Sequence, residues 1–517
     1  MSPPAPIPFT PTARHGLNFR PSNGRKVNDH ACPLAGRTVG PDTDKPRARH
    51  RRLAVVTVAA VALATGGCMV GPDYTAPETE VPAEFKGSGP WQTARPDAAA
   101  QQRGSWWRVF GDAELDRLLA AVERDNPNVR AAAMRLEQAQ ARTRALRGVL
   151  MPELIGRAGV RTERDSDTTR DTGFASGRRT VIRVPLEVAY EVDLWGRARR
   201  GIESALADEE AASADTRAVL LGLQAELAAN YLRLRSLEAE RQVLQRALEV
   251  RQENLDLVES RFRGGDVAEL DVSQARTELA EIRAELVALD RQRVAFENAV
   301  AVLTGQLASD LRLSAPALSG RPPSVPRVVP SQLLERRPDV AAAERRMARE
   351  NAAIGVATAA LYPNVQLSAT AGLASADLGD LFNADSLTWG VGPELVAPLL
   401  DGGRRRAAID EVSARYREVA ADYRATVLRA FGETEDALAA LANLAEEAAA
   451  VEETLVAARR TEELALRRYE GGLVAYFEVV DAQRTVLRNE QAAARLLGAR
   501  YEAMVDLIRA LGGGWQR

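Results

Sequence analysis

Histidine, lysine and cysteine are nearly missing from this 517-residue chain. The histidines are His15, His30 and His50, the lysines Lys26, Lys45 and Lys86, and the cysteines Cys32 and Cys68. If a leader is cut before Cys68, the mature chain keeps no histidine and one cysteine. That removes Ser-His-Asp and Cys-His catalysis, histidine metal sites and any intramolecular disulfide. Neither a glycine-rich phosphate loop nor a metal-ligand cluster is present, so no enzyme, cofactor or metal is expected. Ten basic and three acidic residues precede Leu53, which leaves 58 basic and 68 acidic side chains. A balance of about ten net negative charges argues against a nucleic-acid partner. Long hydrophobic runs are also missing. The longest, Leu53 to Ala64, is too short to span a bilayer. It follows Arg47, Arg49, Arg51 and Arg52 and precedes Thr65-Gly66-Gly67-Cys68, the pattern of a secretory signal.

What is present is duplicated. Gly196-Arg197-Ala198-Arg199-Arg200 is answered by Gly403-Arg404-Arg405-Arg406-Ala407, and Arg261-Phe262-Arg263-Gly264-Gly265 by Arg468-Tyr469-Glu470-Gly471-Gly472, both 207 residues on. Pro127-Asn128-Val129 is answered by Pro338-Asp339-Val340, and Met151-Pro152 by Tyr362-Pro363, both 211 residues on. Each copy reads helix, alternating segment, very long helix, Gly-Gly break, helix. A repeat of this size fixes architecture before chemistry.

No proline interrupts residues 197–263, which as one helix would extend about 100 Å. Leu220, Leu227, Leu234, Leu248, Leu255 and Phe262 share one seven-residue register, broken at Arg241. Leu223, Leu237, Leu244 and Val258 fill the second seam position, broken at Asn230 and Arg251. Such heptads predict coiled-coil packing. Leu279, Leu286, Ile282, Leu289, Phe296, Val300 and Leu303 continue the pattern after Gly264-Gly265, so the helix folds back as an antiparallel hairpin. The second copy places Leu441, Leu444, Val451 and Leu455 with Ala430, Ala437, Ala448 and Ala458 on the same registers.

Between the helices the period drops to two. Ile182, Val184, Leu186, Val188, Tyr190, Val192 and Leu194 oppose Arg183, Pro185, Glu187, Ala189, Glu191 and Asp193. Residues 154–163, Val365–Leu373 and Trp389–Leu399 alternate similarly, which predicts four strands in two hairpins with polar loops at 164–180 and 374–388. Each is about the length of a membrane-spanning strand. Either the apolar face packs on a core, or it meets lipid while the charged face lines a wet lumen. In the second case four strands leave open edges, and two or three copies must close the barrel.

Cys68-Met69-Val70-Gly71-Pro72-Asp73-Tyr74, Tyr190-Glu191-Val192-Asp193-Leu194-Trp195-Gly196-Arg197, Arg336-Arg337-Pro338-Asp339-Val340, Tyr362-Pro363, Pro398-Leu399-Leu400-Asp401-Gly402-Gly403-Arg404 and Asp481-Ala482-Gln483-Arg484 carry a resemblance. Over residues 68–512 the chain resembles TolC-type outer-membrane factors of the OprM/NodT-like efflux lipoprotein branch. The resemblance implies a mainly α chain with a transmembrane β part: a homotrimer whose twelve-stranded barrel continues as a helical tunnel across the periplasm. It further implies a bacterial outer-membrane exit duct that works with a periplasmic adaptor and an inner-membrane pump of RND type. Cys68 resembles a lipoprotein cleavage site, whose thiol would accept a diacylglycerol. Thr65 departs from the usual leucine, and an ordinary signal peptide is the alternative. Glu478 and Asp481, three apart after the second turn, match the aperture carboxylates of relatives, with Asp271 and Gln274 at the equivalent places in the first copy. A solvated helix start favoured by the helix dipole is the plainer reading. Arg261, Gly264, Gly265, Arg468, Gly471, Gly472, Leu473 and Val474 match the adaptor-docking tips, although relatives usually carry one glycine in this turn.

The expected layout is a leader at 1–67, a lipid-linked segment at 68–112, a first repeat at 113–330, a second at 331–512 and a tail at 513–517. The first repeat holds a hairpin at 154–195, a long helix at 197–263, a helix at 267–305 and a linker. The second holds a hairpin at 364–400, a long helix at 404–470 and a helix at 474–512. Passage of small molecules such as drugs is the expected function, with a type I protein-secretion duct or a periplasmic coiled-coil adaptor as alternatives.

Overall fold

The computed structural model describes residues 69–77, 105–164, 178–323 and 336–513. The leader, Cys68, most of the first polar loop and the linker residues 324–335 lie outside the described residues. After a short 3-10 turn at Trp106–Phe110, the elements run α1 (Ala113–Asp125), α2 (Pro127–Gly148), β1 (Glu153–Gly156), β2 (Gly159–Arg164), β3 (Arg178–Val192), α3 (Arg197–Gly264) and α4 (Glu269–Leu303). The second copy gives α5 (Pro338–Ala359), β4 (Asn364–Ser375), β5 (Leu387–Val396), α6 (Arg404–Glu470) and α7 (Tyr476–Ala510).

The two long helices, 68 and 67 residues, are unbroken. Gly201 and Gly222 lie inside α3 without interrupting it. Each long helix is covered along its length by two shorter ones. Near the sheet α2 lies on α3 and α5 on α6, while further down α4 lies on α3 and α7 on α6. Contacts of α3 with α5 and α7 join the copies. The shorter helices meet end to end at spliced joints. Asn126 caps α2 through the Asn128 amide (2.8 Å), and its own amide donates to the Leu303 carbonyl at the end of α4 (2.7 Å). In the second copy Arg337 precedes α5 and donates to the Ala510 carbonyl at the end of α7 (3.2 Å). Around the first joint sits the largest core: Trp106, Leu115, Leu118, Leu119, Tyr231, Leu232, Leu234, Val300, Tyr501 and Ile508.

The coiled-coil seam is occupied at Leu227, Leu234, Leu244, Leu255 and Val258, all buried. Phe262 departs from it and is exposed, whereas its counterpart in the second copy, Tyr469, is buried. The interruptions differ. Arg241 is half-buried and reaches exposed Asp290 (3.3 Å), whereas Arg251 is fully buried.

One antiparallel sheet joins both copies in the order β1/β2, β3, β4, β5. The predicted first strand is split into β1 and β2, yet both halves keep one register on β3, with Glu153 opposite Ala189 and Gly159 opposite Arg183. The gap faces Pro185, whose nitrogen has no hydrogen to donate to the ladder. Its carbonyl still accepts from Arg157 (2.9 Å). Six boundaries fall short of expectation. The hairpins end at Val192 and Val396 rather than 195 and 400, where Asp193 and Asp401 take up helix-capping duties and Pro398 follows β5. Helices α4 and α7 start two residues late and end two early, each preceded by an extended alanine, Ala268 or Ala475.

Register places Leu154, Val188, Ala369 and Val391 across one face, and Leu186, Ala371 and Trp389 beside them. This face is bare: Leu154 is 66%, Trp389 75%, Val391 75% and Leu395 67% exposed. The opposite face carries Arg157, Arg183, Glu187, Glu191, Gln366, Ser368, Thr370 and Glu394, with Arg157 paired to Glu187 at 3.0 Å. Among the described residues no further strand pairs with either edge of the sheet, β1/β2 or β5.

Candidate functional site

The hairpin tips are built by the same turn twice. Gly265 (φ +84°) and Gly472 (φ +71°) take the left-handed conformation, and only the second glycine of each pair needs it. The Asp266 amide donates to the Arg261 carbonyl (3.0 Å) and the Leu473 amide to the Arg468 carbonyl (2.8 Å), which satisfies the last helix carbonyls. Gly264 completes α3, and Gly471 has φ −77°.

The tips are fastened side by side. Leu255, Val258, Val272, Ala275, Leu279, Tyr469, Tyr476, Val479 and Val480 form one apolar cluster drawn from both hairpins. The Tyr469 and Tyr476 rings lie 5.5 Å apart, and the Arg261 guanidinium sits 5.0 Å over Tyr469. This cation–π contact spends Arg261 on the neighbouring hairpin, while Arg468 is exposed. Val474 packs against the cluster, and Leu473 is exposed. The hydroxyls of Tyr469 and Tyr476 are buried, with no hydrogen-bond partner among the described residues.

Above the tips, about 20 Å along α3 at 1.5 Å per residue, the packing turns ionic. Arg251 is 3% exposed and Glu278 4%. They approach to 3.3 Å, and Arg251 also donates to the side-chain oxygen of Gln483. Asn254 donates to the same oxygen (3.1 Å), and Arg484 closes on the other Glu278 oxygen. The network thus ties α3 and α4 to α7. A cavity of about 230 Å³ adjoins it, bounded by Arg246, Arg251, Glu462, Gln483 and Glu490. Burial lowers the Arg251 pKa from its ordinary value, and burial raises that of the Glu462 carboxyl.

The carboxylates singled out in the sequence have unequal surroundings. Glu478 and Asp481 are exposed on the first turns of α7, and neither has an ion-pair partner among the described residues. Arg484 does not bridge to them, since it is committed to Glu278 and lies 3.9 Å from Glu281. Asp271 accepts from the Ala268 amide (3.2 Å) and so caps α4. Two apolar tip residues escaped sequence reading. Leu270 is 66% exposed, and Phe477, at the repeat spacing of 207, is 56% exposed. The repeat spacing itself would have found the pair.

The sequence profile of the outer membrane efflux protein family matches residues 118–306 and 329–513, one match per copy. The chain belongs to the outer membrane efflux protein family. It is 33% identical to outer membrane protein OprJ of Pseudomonas aeruginosa over 89% of this chain and 96% of that protein. It is equally identical to the solvent efflux pump outer membrane protein SrpC of Pseudomonas putida, over 88% and 97%. Among solved structures it superposes on the outer-membrane channel OprN with a TM-score of 0.80 at 31% identity, covering 87% of this chain and all of that one. For VceC of Vibrio cholerae the TM-score is 0.74 at 29% identity, over 80% and 99%. This family member is an outer-membrane efflux channel, with the bare sheet in the membrane and the helices extending into the periplasm. The soluble-sheet and periplasmic-adaptor readings are thereby set aside.

Proposed function

We propose that three copies join their sheets edge to edge into one twelve-stranded barrel, and that their helices line a single duct. The observation that carries this reading is the bare apolar face between two free edges. Four strand widths fall short of the eight or so of the smallest membrane barrels, and hydrocarbon does not tolerate an open edge. Three copies rather than two is the assembly the family resemblance implies.

In this reading cargo moves through a wet lumen with no catalytic step. The inner-membrane pump, of RND type, selects it, and a periplasmic adaptor couples pump to duct. Small molecules such as drugs are the favoured cargo, because relatives are named for antibiotic, solvent and toluene efflux and for pyoverdine export. The adaptor would grip Leu270, Phe477, Leu473 and Arg468 around the Gly264-Gly265 and Gly471-Gly472 turns. Glu478 and Asp481 from three copies would ring the periplasmic aperture, with Asp271 adding charge while it caps α4. Cys68 would carry diacylglycerol and hold each chain to the inner leaflet. Native mass spectrometry in mild detergent tests the assembly. A trimer is expected, and a monodisperse monomer with full secondary structure would overturn it.

A further inference from the structure

The segment that follows Cys68 occupies a made-to-measure slot. The Val70 amide donates to the Trp195 carbonyl (3.1 Å), at the corner between β3 and α3. Arg200, 2% exposed, turns its whole guanidinium to this segment and to Glu203. It donates to the carbonyls of Val70 (3.3 Å) and Gly71 (3.4 Å) and to the Asp73 carboxylate (2.7 Å). From α5, Asn351 donates to the Pro72 carbonyl (2.9 Å), and Glu344 accepts from the Tyr74 hydroxyl (2.5 Å). Three glycines clear the space. A Cβ on Gly71, which has φ +93°, would come 2.4 Å from the Gly355 backbone. One on Gly355 would come 2.8 Å from Arg200, and one on Gly196 2.6 Å from Met69.

We infer that Arg200, Asn351 and the Gly355 gap form a seat for the processed N-terminus, and that this seat fixes where the lipid anchor meets the channel. The inference rests on the reading that Cys68 is the acylated residue. Met69 packs against Gly196 and Val70 bonds Trp195, so the seat holds the segment down to the residue next to the proposed anchor, at the β3–α3 corner. A flexible tether would let the acyl chains wander over a wide radius. A seated strap delivers them to one place and clips the β3–α3 corner onto α5. Arg200 and Asn351 act here as positioning residues. Apart from the Asp73 carboxylate, the strap atoms they hold are backbone carbonyls, which any extended peptide offers, so Gly71 and Asp73 supply the recognition.

The test uses the full-length protein, extracted from outer membranes in detergent and treated briefly with chymotrypsin. Intact mass reads both the lipid on the N-terminus and the rate of cleavage after Tyr74. Cleavage of a docked segment follows the population of its open form. Losing Arg200's hydrogen bonds should raise that population about tenfold or more. Arg200→Gln and Gly71→Val should therefore both release the lipopeptide at least about tenfold faster than wild type, with lipid mass unchanged. Arg200→Lys should recover part of the protection. Gly71→Val lies on the strap and leaves the helices intact, so it decides the matter if Arg200→Gln fails to fold. Rapid cleavage of wild type, or an unchanged rate in Gly71→Val, would overturn the seat. Wild-type protein without lipid mass would sink the acylation reading alone, and the cleavage rates would still judge the seat.

Discussion

Replacing Glu278 by alanine probes the joint between the two hairpins. Its side chain is 5% exposed and answers two arginines, Arg251 (4%) and Arg484 (44%). Removing it strands the Arg251 guanidinium in the interior with Gln483 as its remaining hydrogen-bond acceptor. Taking one partner from a buried ion pair costs about 3–5 kcal/mol. Alanine favours helix, so none of that loss comes from the backbone. Arg484→Ala should cost at most about 1 kcal/mol, since the Arg484 side chain is largely exposed, exposed pairs are weak and Glu278 keeps Arg251. Replacing Arg251 and Glu278 together by Met and Leu should come out near neutral, because both charges leave at once. The assay is native-state hydrogen exchange on peptides from α4 and α7, which reads local opening without requiring reversible unfolding of the whole assembly. A loss below about 1 kcal/mol for Glu278→Ala, or a loss for Arg484→Ala as large, would refute the burial argument.

Gly472→Ala should destabilise the second tip by about 1–2 kcal/mol, the left-handed penalty for an L-residue; Gly471→Ala should not, since its Cβ would meet only ordinary contacts at 3.6–3.9 Å, and exchange at the tip amides separates the two. Glu462→Gln should stabilise the protein at pH 7–8 in thermal melts. Burial raises its folded pKa above 4.5, so the stability of the protonated form is complete below 4.5 and lost as pH rises through the folded value, and the advantage of glutamine must vanish in acid. Tyr476→Phe should melt no lower than wild type, because the hydroxyl it deletes is buried and unpartnered; a clear loss would mean that hydroxyl has a partner in the assembly. Glu478→Ala with Asp481→Ala should raise single-channel conductance and weaken cation preference in planar bilayers, since clustered carboxylates attract cations; unchanged conductance and selectivity would make the two acids a solvated helix start.

Much of the architecture was legible because it repeats and because its periods differ. A seven-residue seam and a two-residue alternation cannot be confused, and the Gly-Gly pairs marked the turns where α3 and α6 end. The strand alternation survived Pro185 because proline removes one ladder bond without shifting register. The ends were less legible. Leu399 and Leu400 continue the apolar pattern but lie beyond β5, since period alone does not say where Asp401 will start capping the next helix.

The site divided along a physical line. Turn glycines and exposed carboxylates declare themselves by residue type, because backbone geometry and desolvation restrict what can stand there. The ionic joint did not. Arg241 and Arg251 both interrupt the heptad, and sequence gives them the same meaning. Their fates differ because α4 presents Glu278 opposite one and solvent-facing Asp290 near the other, a contrast set by partners on another helix. Arg200 was read only as part of a basic repeat motif, yet its counterpart position in the second copy is Ala407. That asymmetry follows from having one N-terminus per chain. Two copies share a fold, but only the first meets the Val70–Tyr74 strap, so a buried arginine at this repeat position is worth its desolvation in the first copy and not in the second.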